Sequence, residues 1–186
     1  MHDGHAIRCL KQGDISGLER LVSQYQVKAI RTAFLIMGDP DLAEDIVQEA
    51  FMNVYRGIHH FDESRPFEPW FLRSVVNLAI KTAQKQARQV RMGAGSDDAS
   101  LEDVLAAQDP SPEEQIEFSE FQQQVGEALQ QLSPRQRAAV VQRYFLEMSE
   151  KEMAGELGAA PGTVKWLLNA ARKNLRTLLG SERNLV

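Results

Sequence analysis

The run from Ser149 to Leu179, SEKEMAGELGAAPGTVKWLLNAARKNLRTLL, leaves that part of the chain few choices of architecture. Ser149 and Glu152, three residues apart, make a capping box that starts one helix. Met153, Ala154 and Leu157 give this helix an inner face, and Gly158 supplies a sharp stop. Pro161 suits the first turn of a second helix, where its missing N–H costs nothing. At about 100° per residue, Leu167, Leu168, Ala171, Leu175, Leu178 and Leu179 all fall within about 60° of Val164, which predicts a buried stripe. Trp166, Asn169, Ala170 and Lys173 take the opposite face, with Lys165, Arg172 and Arg176 on one flank. Two helices around a glycine-containing turn form the unit that sets a recognition helix in a DNA major groove. An ordinary core helix with a solvated charged face has the same pattern. The capped helix and turn ahead of it favour DNA.

Helical spacing dominates the rest of the chain, and alternating β-branched runs are short, which predicts an all-α fold. A length of 186 residues suits one domain or two small ones. Cys9 is the single cysteine, so no internal disulfide can form, as expected in the reducing cytoplasm. No apolar run approaches the ~20 residues that span a bilayer, so no membrane insertion is expected. The N-terminal stretch shows no secretory signal.

The net charge of −5 is unevenly spread. Residues 1–91 hold 12 Lys and Arg against 11 Asp and Glu, residues 92–134 hold none against 10, and residues 135–186 hold 9 against 5. The acidic centre thus hides a basic C-terminal module. Residues 92–112, MGAGSDDASLEDVLAAQDPSP, are also rich in Gly, Ser, Asp and Pro and read as an acidic flexible linker. The expected organisation is therefore a helical domain over 1–91, this linker, and a second helical domain over 113–186 containing the helix-turn-helix. Ser111, Pro112 and Glu114 are expected to begin a helix whose stripe is Ile116, Phe121, Val125, Leu129 and Leu132. Ser133-Pro134 starts another, running through Val140, Val141, Tyr144 and Phe145.

Two N-terminal helices carry concentrated charge. From Asp41 to Ile58, the residues Leu42, Ile46, Val47, Phe51, Val54, Tyr55 and Ile58 keep helical spacing and are expected to be buried. Asp41, Glu44, Asp45, Gln48 and Glu49 crowd the other side near the helix start, where carboxylates suit the dipole. They read either as a solvated helix end or as an acidic docking face for a basic partner. A carboxylate metal centre would need Glu-x-x-His partners, and that spacing does not occur. Further on, Trp70, Phe71, Val75, Leu78 and Ala79 form an inner stripe, while Arg73, Asn77, Lys81, Lys85, Arg88 and Arg91 share an arc of about 120° at helical pitch. That edge can follow a phosphate backbone, with Asn77 as a base reader, or simply be solvated. His2, His5 and Cys9 share one helical face but lack a fourth ligand, so no metal is expected there. His59 and His60 fall where a helix ends and suit its dipole. No nucleophile–base set or Gly-rich phosphate loop is present, which argues against an enzyme.

Four segments in this order, AEDIVQEAFMNVYRGI, FDESRPFEPWFLRSVVNLAI, LSPRQRAAVVQRYFLEMSEKEMAGELG and GTVKWLLNAARKNL, resemble the extracytoplasmic-function sigma factors, the smallest class of bacterial RNA polymerase sigma subunits. The resemblance covers nearly the whole chain. It implies two helical domains, equivalent to the second and fourth conserved sigma regions, and no cofactor. It implies core RNA polymerase and promoter DNA as partners, with an anti-sigma factor as regulator. By position, Asp41, Glu44, Asp45, Gln48 and Glu49 match the polymerase-clamp docking surface. Asn77 matches the residue that captures an unpaired −10 base, with Arg73, Lys81 and Lys85 along that strand. Thr163, Lys165, Trp166, Asn169 and Lys173 match the face that reads the −35 duplex. The recognition helix departs from the family after Gly-Thr-Val-Lys. Trp166, Leu167, Leu168, Asn169 and Ala170 stand where a small residue, an arginine, an apolar residue, a histidine or similar and another arginine are usual. The main alternative is a helix-turn-helix regulator acting alone.

Overall fold

The computed structural model describes residues 3–90 and 124–182. The described residues fold into helices without a strand, as the spacing predicts. The linker over 92–112 and the helix start at Ser111 lie outside the described residues.

Helices α1 (Asp3–Lys11), α2 (Ser16–Met37), α3 (Pro40–Gly57) and α4 (Phe67–Val90) form the N-terminal group. The turn from α1 to α2 passes through Gly13 at φ 85°, and Asp14 accepts from the Ser16 N–H at 3.0 Å. Gly17 lets α2 lie directly on α1, because a Cβ there would sit 2.2 Å from the Ala6 carbonyl oxygen. Gly38, at φ 73°, ends α2 by donating its N–H to Phe34 O at 2.8 Å. Asp39 then caps α3 by accepting from the Leu42 N–H at 3.0 Å, with Pro40 in the first turn. A 3₁₀ turn over Ile58–His60 closes α3 and leaves His59 and His60 exposed.

Aromatic rings fill the centre of this group. Phe51 and Phe71 lie 4.4 Å apart, Phe67 stacks on Phe71 at 5.7 Å, and Tyr25 lies 5.5 Å from Phe67. Burying each such ring stabilises the fold by roughly 2–3 kcal/mol. Tyr25 turns its hydroxyl outward and donates to Asp3 at 2.7 Å, which pins α1 to α2. Burial, with Asp3 alongside, pushes the Tyr25 pKa up.

Among the described residues the predicted stripes hold in part: Ile116 and Phe121 lie outside those residues, and Leu175, Leu178 and Leu179 of the last helix are half-buried. Ile46, Val47, Phe51, Val54 and Ile58 are buried on α3, but Tyr55 is 44 % exposed. It lies about 100° from the centre of the stripe at helical pitch, too far round to reach the core. On α4, Phe71, Val75 and Ala79 are buried as expected and Trp70 and Leu78 only half-buried, while Leu72, Val76, Ile80 and Ala83 are buried as well. The burial is wide because α4 packs against three helices: α2, α3 and one from the C-terminal group.

That group comprises α5 (124–130), α6 (Pro134–Val140), α7 (Glu150–Glu156) and α8 (Pro161–Glu182). Leu129 and Leu132 are buried against Ala171, with Val125 packed alongside. Ser133 and Gln136 cap α6 reciprocally. The helix then widens into a π turn over Val141–Phe145, closed by the Leu146 N–H on Val141 O at 3.0 Å. The extra residue rotates the succeeding side chains by about 100°. Tyr144 and Phe145 lie within this turn at 57 % and 37 % exposure, while Gln142 is fully buried. Ser149 and Glu152 cap α7 as predicted, Gly158 takes φ 55°, and α8 begins at Pro161. Met153, Ala154, Val164, Leu167 and Leu168 share one buried cluster.

Candidate nucleic-acid and protein interfaces

The outer face of α3 is dictated by its buried side. With Ala43, Ile46, Val47 and Ala50 turned inward, helical pitch leaves Asp41, Glu44, Asp45, Gln48 and Glu49 exposed together. Four carboxylates and an amide so arranged make a flat acidic surface carried on a rigid helix, suited to a basic protein partner.

The basic edge of α4 divides in two. Lys81 and Lys85 are exposed, whereas Arg73 and Asn77 are half-buried. Arg73 Nη2 donates to Glu152 Oε1 at 3.1 Å, and its Nε lies 3.5 Å from Glu156, a charge pair longer than a hydrogen bond. Asn77 donates to Glu156 Oε2 at 3.1 Å. Glu152 also accepts from the Ser149 backbone N–H at 2.9 Å and its hydroxyl at 2.7 Å. These Ser149 bonds, and after them Arg73, hold its carboxyl below the usual range. Nothing in the sequence pairs residues 79 positions apart, so these α7 partners of α4 were not foreseen.

On α8, Thr163, Lys165, Trp166, Asn169 and Lys173 are all exposed, opposite the buried Val164, Leu167, Leu168 and Ala171. Trp166 is 65 % exposed. Arg172, Arg176 and Thr177 extend this exposed face along α8 beside Asn169 and Lys173. Arg172 donates from Nε to the Tyr144 hydroxyl at 2.7 Å and from Nη1 to Asn169 Oδ1 at 3.3 Å. Its guanidinium carbon also lies 5.8 Å from the Tyr144 ring centre. Tyr144 therefore joins this face. Hydrophobic spacing carries no sign of that contact.

The His5 and Cys9 side chains meet at 3.5 Å, but His5 Nδ1 also faces Arg20 Nη1 at 3.0 Å, a cation where a metal ligand would need space. His2 lies outside the described residues. Among the described residues no group of three or more His, Cys, Asp or Glu is placed to hold a metal, and no helix is long and apolar enough to cross a membrane.

Residues 21–89 match the family described as Sigma-70 region 2, and residues 122–175 match Sigma-70, region 4. The chain is 28 % identical over 176 residues to the ECF RNA polymerase sigma factor SigW of Bacillus subtilis, covering 93 % of this chain and 94 % of that one. It is 32 % identical over 168 residues to the ECF RNA polymerase sigma factor SigE of Mycolicibacterium smegmatis, covering 90 % of this chain and 63 % of that longer relative. Among solved structures, the sigma factor RpoE from Bartonella quintana, crystallised with the anti-sigma factor NepR, shares the fold with a TM-score of 0.65. The identity there is 22 %, over 87 % of this chain and 96 % of that one. A capped helix-turn-helix, a second helical domain with one acidic and one basic face, and two conserved sigma regions in order define a transcription initiation factor. The chain belongs to the extracytoplasmic-function sigma factors.

Proposed function

We propose that the chain works as three surfaces that together address core RNA polymerase to a set of promoters. Residues 1–91 form the domain that docks on the polymerase clamp and engages the −10 element, residues 113–186 the domain that reads the −35 element, and residues 92–112 the acidic connection. Asp41, Glu44, Asp45, Gln48 and Glu49 make the clamp contact. Arg73, Lys81 and Lys85 follow the −10 strand, and Asn77 holds an unpaired base. Thr163, Lys165, Trp166, Asn169 and Lys173 enter the −35 major groove, with Arg172 beside them.

The supporting observation is the concerted exposure on α8 of five side chains that face away from the buried stripe, behind a capped helix and a glycine turn. The work done is binding. Clamp docking and duplex contacts offset the few kcal/mol of unstacking that a captured base requires. The chain contributes no catalytic group of its own, and polymerase carries out the chemistry. Its place of action is the cytoplasm, where polymerase and DNA are. Control by an anti-sigma factor fits the relative RpoE, which was solved with one.

In vitro transcription with purified core polymerase tests this reading. The chain should direct initiation from its own promoter, and Asp41→Asn/Glu44→Gln/Asp45→Asn/Glu49→Gln should lose core binding while keeping its fold. A chain that bound its promoter and regulated transcription without associating with polymerase would be a lone regulator instead.

A further inference from the structure

The segment that leads into the helix-turn-helix gathers several costly features between Val141 and Glu147. Helix α6 gives way to the π turn over Val141–Phe145, a register that is rare in proteins and recurs at functional sites. The turn buries Gln142 completely, and its side-chain amide finds no hydrogen-bond partner among the described residues. Glu147 follows at φ 54°, in the left-handed region, the only residue besides glycine with a positive φ among the described residues. Stability alone favours none of these. Such strain persists where surrounding contacts hold it in place for another use.

Those contacts tie both helices of the motif to the turn. Met148 donates its N–H to Gln142 O at 2.9 Å, and its carbonyl accepts from Arg143 Nη1, also at 2.9 Å. Both backbone groups of Met148 are therefore fixed. Its side chain is buried in one cluster with Met153, Val164 and Leu168, and Ser149 caps α7 immediately after it. Tyr144, the neighbour of Arg143, accepts from Arg172 Nε on its hydroxyl at 2.7 Å and so reaches α8. One turn thus sends adjacent side chains to the two helices, Arg143 to the strap before α7 and Tyr144 to the middle of α8.

We propose that the π turn is a brace that sets α7 and α8 for reading duplex, and that Arg143 is its positioning residue. The inference rests on the −35 assignment of α8. Arg143 is exposed, yet it directs a donor inward to a backbone carbonyl. Its loss frees the Met148 carbonyl, lets the strap through Glu147 relax toward ordinary backbone angles, and shifts the start of α7 against α8. Base contacts depend on close hydrogen-bond geometry, whereas attraction to phosphate is long-ranged. Loosening the brace therefore lowers discrimination between sequences more than it lowers binding as such.

Holoenzyme assembled with Arg143→Ala tests this on a fluorescent duplex carrying the −35 element of a promoter the chain transcribes, and on its single-base variants. Binding to the intact element should weaken about tenfold and binding to the variants about threefold or less, with the salt dependence unchanged. An equal loss on every duplex, with a smaller salt slope, identifies a phosphate contact and overturns the brace. Arg143→Ala/Glu147→Gly, measured well below the melting temperature, separates positioning from stability. Glycine holds a left-handed φ without strain and should recover any loss in thermal stability. Discrimination that stays low in this double variant supports the brace, and discrimination restored along with stability overturns it. The unsubstituted holoenzyme separates the remaining failures. If it binds the intact element no better than a scrambled duplex, the −35 reading fails and the brace with it. If it discriminates and Arg143→Ala discriminates equally well, the brace alone fails.

Discussion

Trp166, 65 % exposed on α8, lies on the face proposed to read the −35 element, where the resemblance implies a small residue, with an arginine expected at Leu167. Arginine on guanine is the commonest specific major-groove contact, so its absence near the centre of the helix changes what can be read. Asn169 is suited to adenine, and the Trp166 ring to a thymine methyl or a sugar edge. Transcription from a library randomised at the −35 element should select a sequence unlike the usual family consensus, or show weak dependence on that element. Selection of the ordinary consensus would refute this. Tyr144 bears on the same face by a different route, since its hydroxyl fixes Arg172, which in turn contacts Asn169. Tyr144→Phe keeps the ring and removes one hydrogen bond, a loss of about 0.5–1.5 kcal/mol. Holoenzyme binding to −35 duplex should weaken up to about tenfold with little change in thermal stability. Equal binding by the two proteins would leave Tyr144 no part in positioning.

Helix ends and close approaches decide stability one scale up. Ser149 and Glu152 satisfy each other's backbone donors at the start of α7, so Ser149→Ala should cost about 1 kcal/mol. In a chain of this size that lowers the melting temperature by roughly 2–4 °C. The cap also has a pH signature. A carboxyl held below its usual range stabilises the folded state at pH above that range, and the contribution disappears as pH falls through the folded value. The Ser149 amide resonance should therefore titrate with a midpoint below the ordinary glutamate value of about 4.3. A midpoint at or above that value would contradict the observed hydrogen bonds. At the α1–α2 crossing, Gly17→Ala would drive a methyl into the Ala6 carbonyl, with Leu10 N only 2.8 Å away. Both obstacles are backbone, so α1 has to move. Thermal unfolding should show a loss of about 1–3 kcal/mol, and an unchanged melting temperature would mean that α1 does not pack so closely on α2.

Across the whole molecule, the end of α2 lies against α5 of the other helical group. A Cβ at Gly38 would lie 2.3–2.6 Å from the Gln130 carboxamide, and the left-handed φ of 73° disfavours any side chain there. Gly38→Ala should therefore weaken the α2 end and displace the Gln130 carboxamide. Adding Gln130→Ala should restore the part that comes from crowding, and denaturant unfolding of the four proteins in a double-mutant cycle would measure the coupling. Strict additivity would place the whole effect in the backbone of α2. Much of the architecture was written locally. The stripes of α3 and α8, the capping boxes at Ser133 and Ser149, the stop at Gly158 and the start at Pro161 all come from spacing and backbone chemistry within a few residues. The exposure of the acidic α3 face and the α8 face is equally local, because a helix that buries one side must present the other. Three things needed the folded chain. The π turn at Val141, which carries exposed Tyr144, is a shift of hydrogen-bond register that leaves no mark in hydrophobic spacing. The broad burial of α4 came from a third packing neighbour. The hold of Glu152 and Glu156 on Arg73 and Asn77 spans 79 positions, and an ion pair at that separation is set by how whole helices come to rest against one another, which no local periodicity encodes.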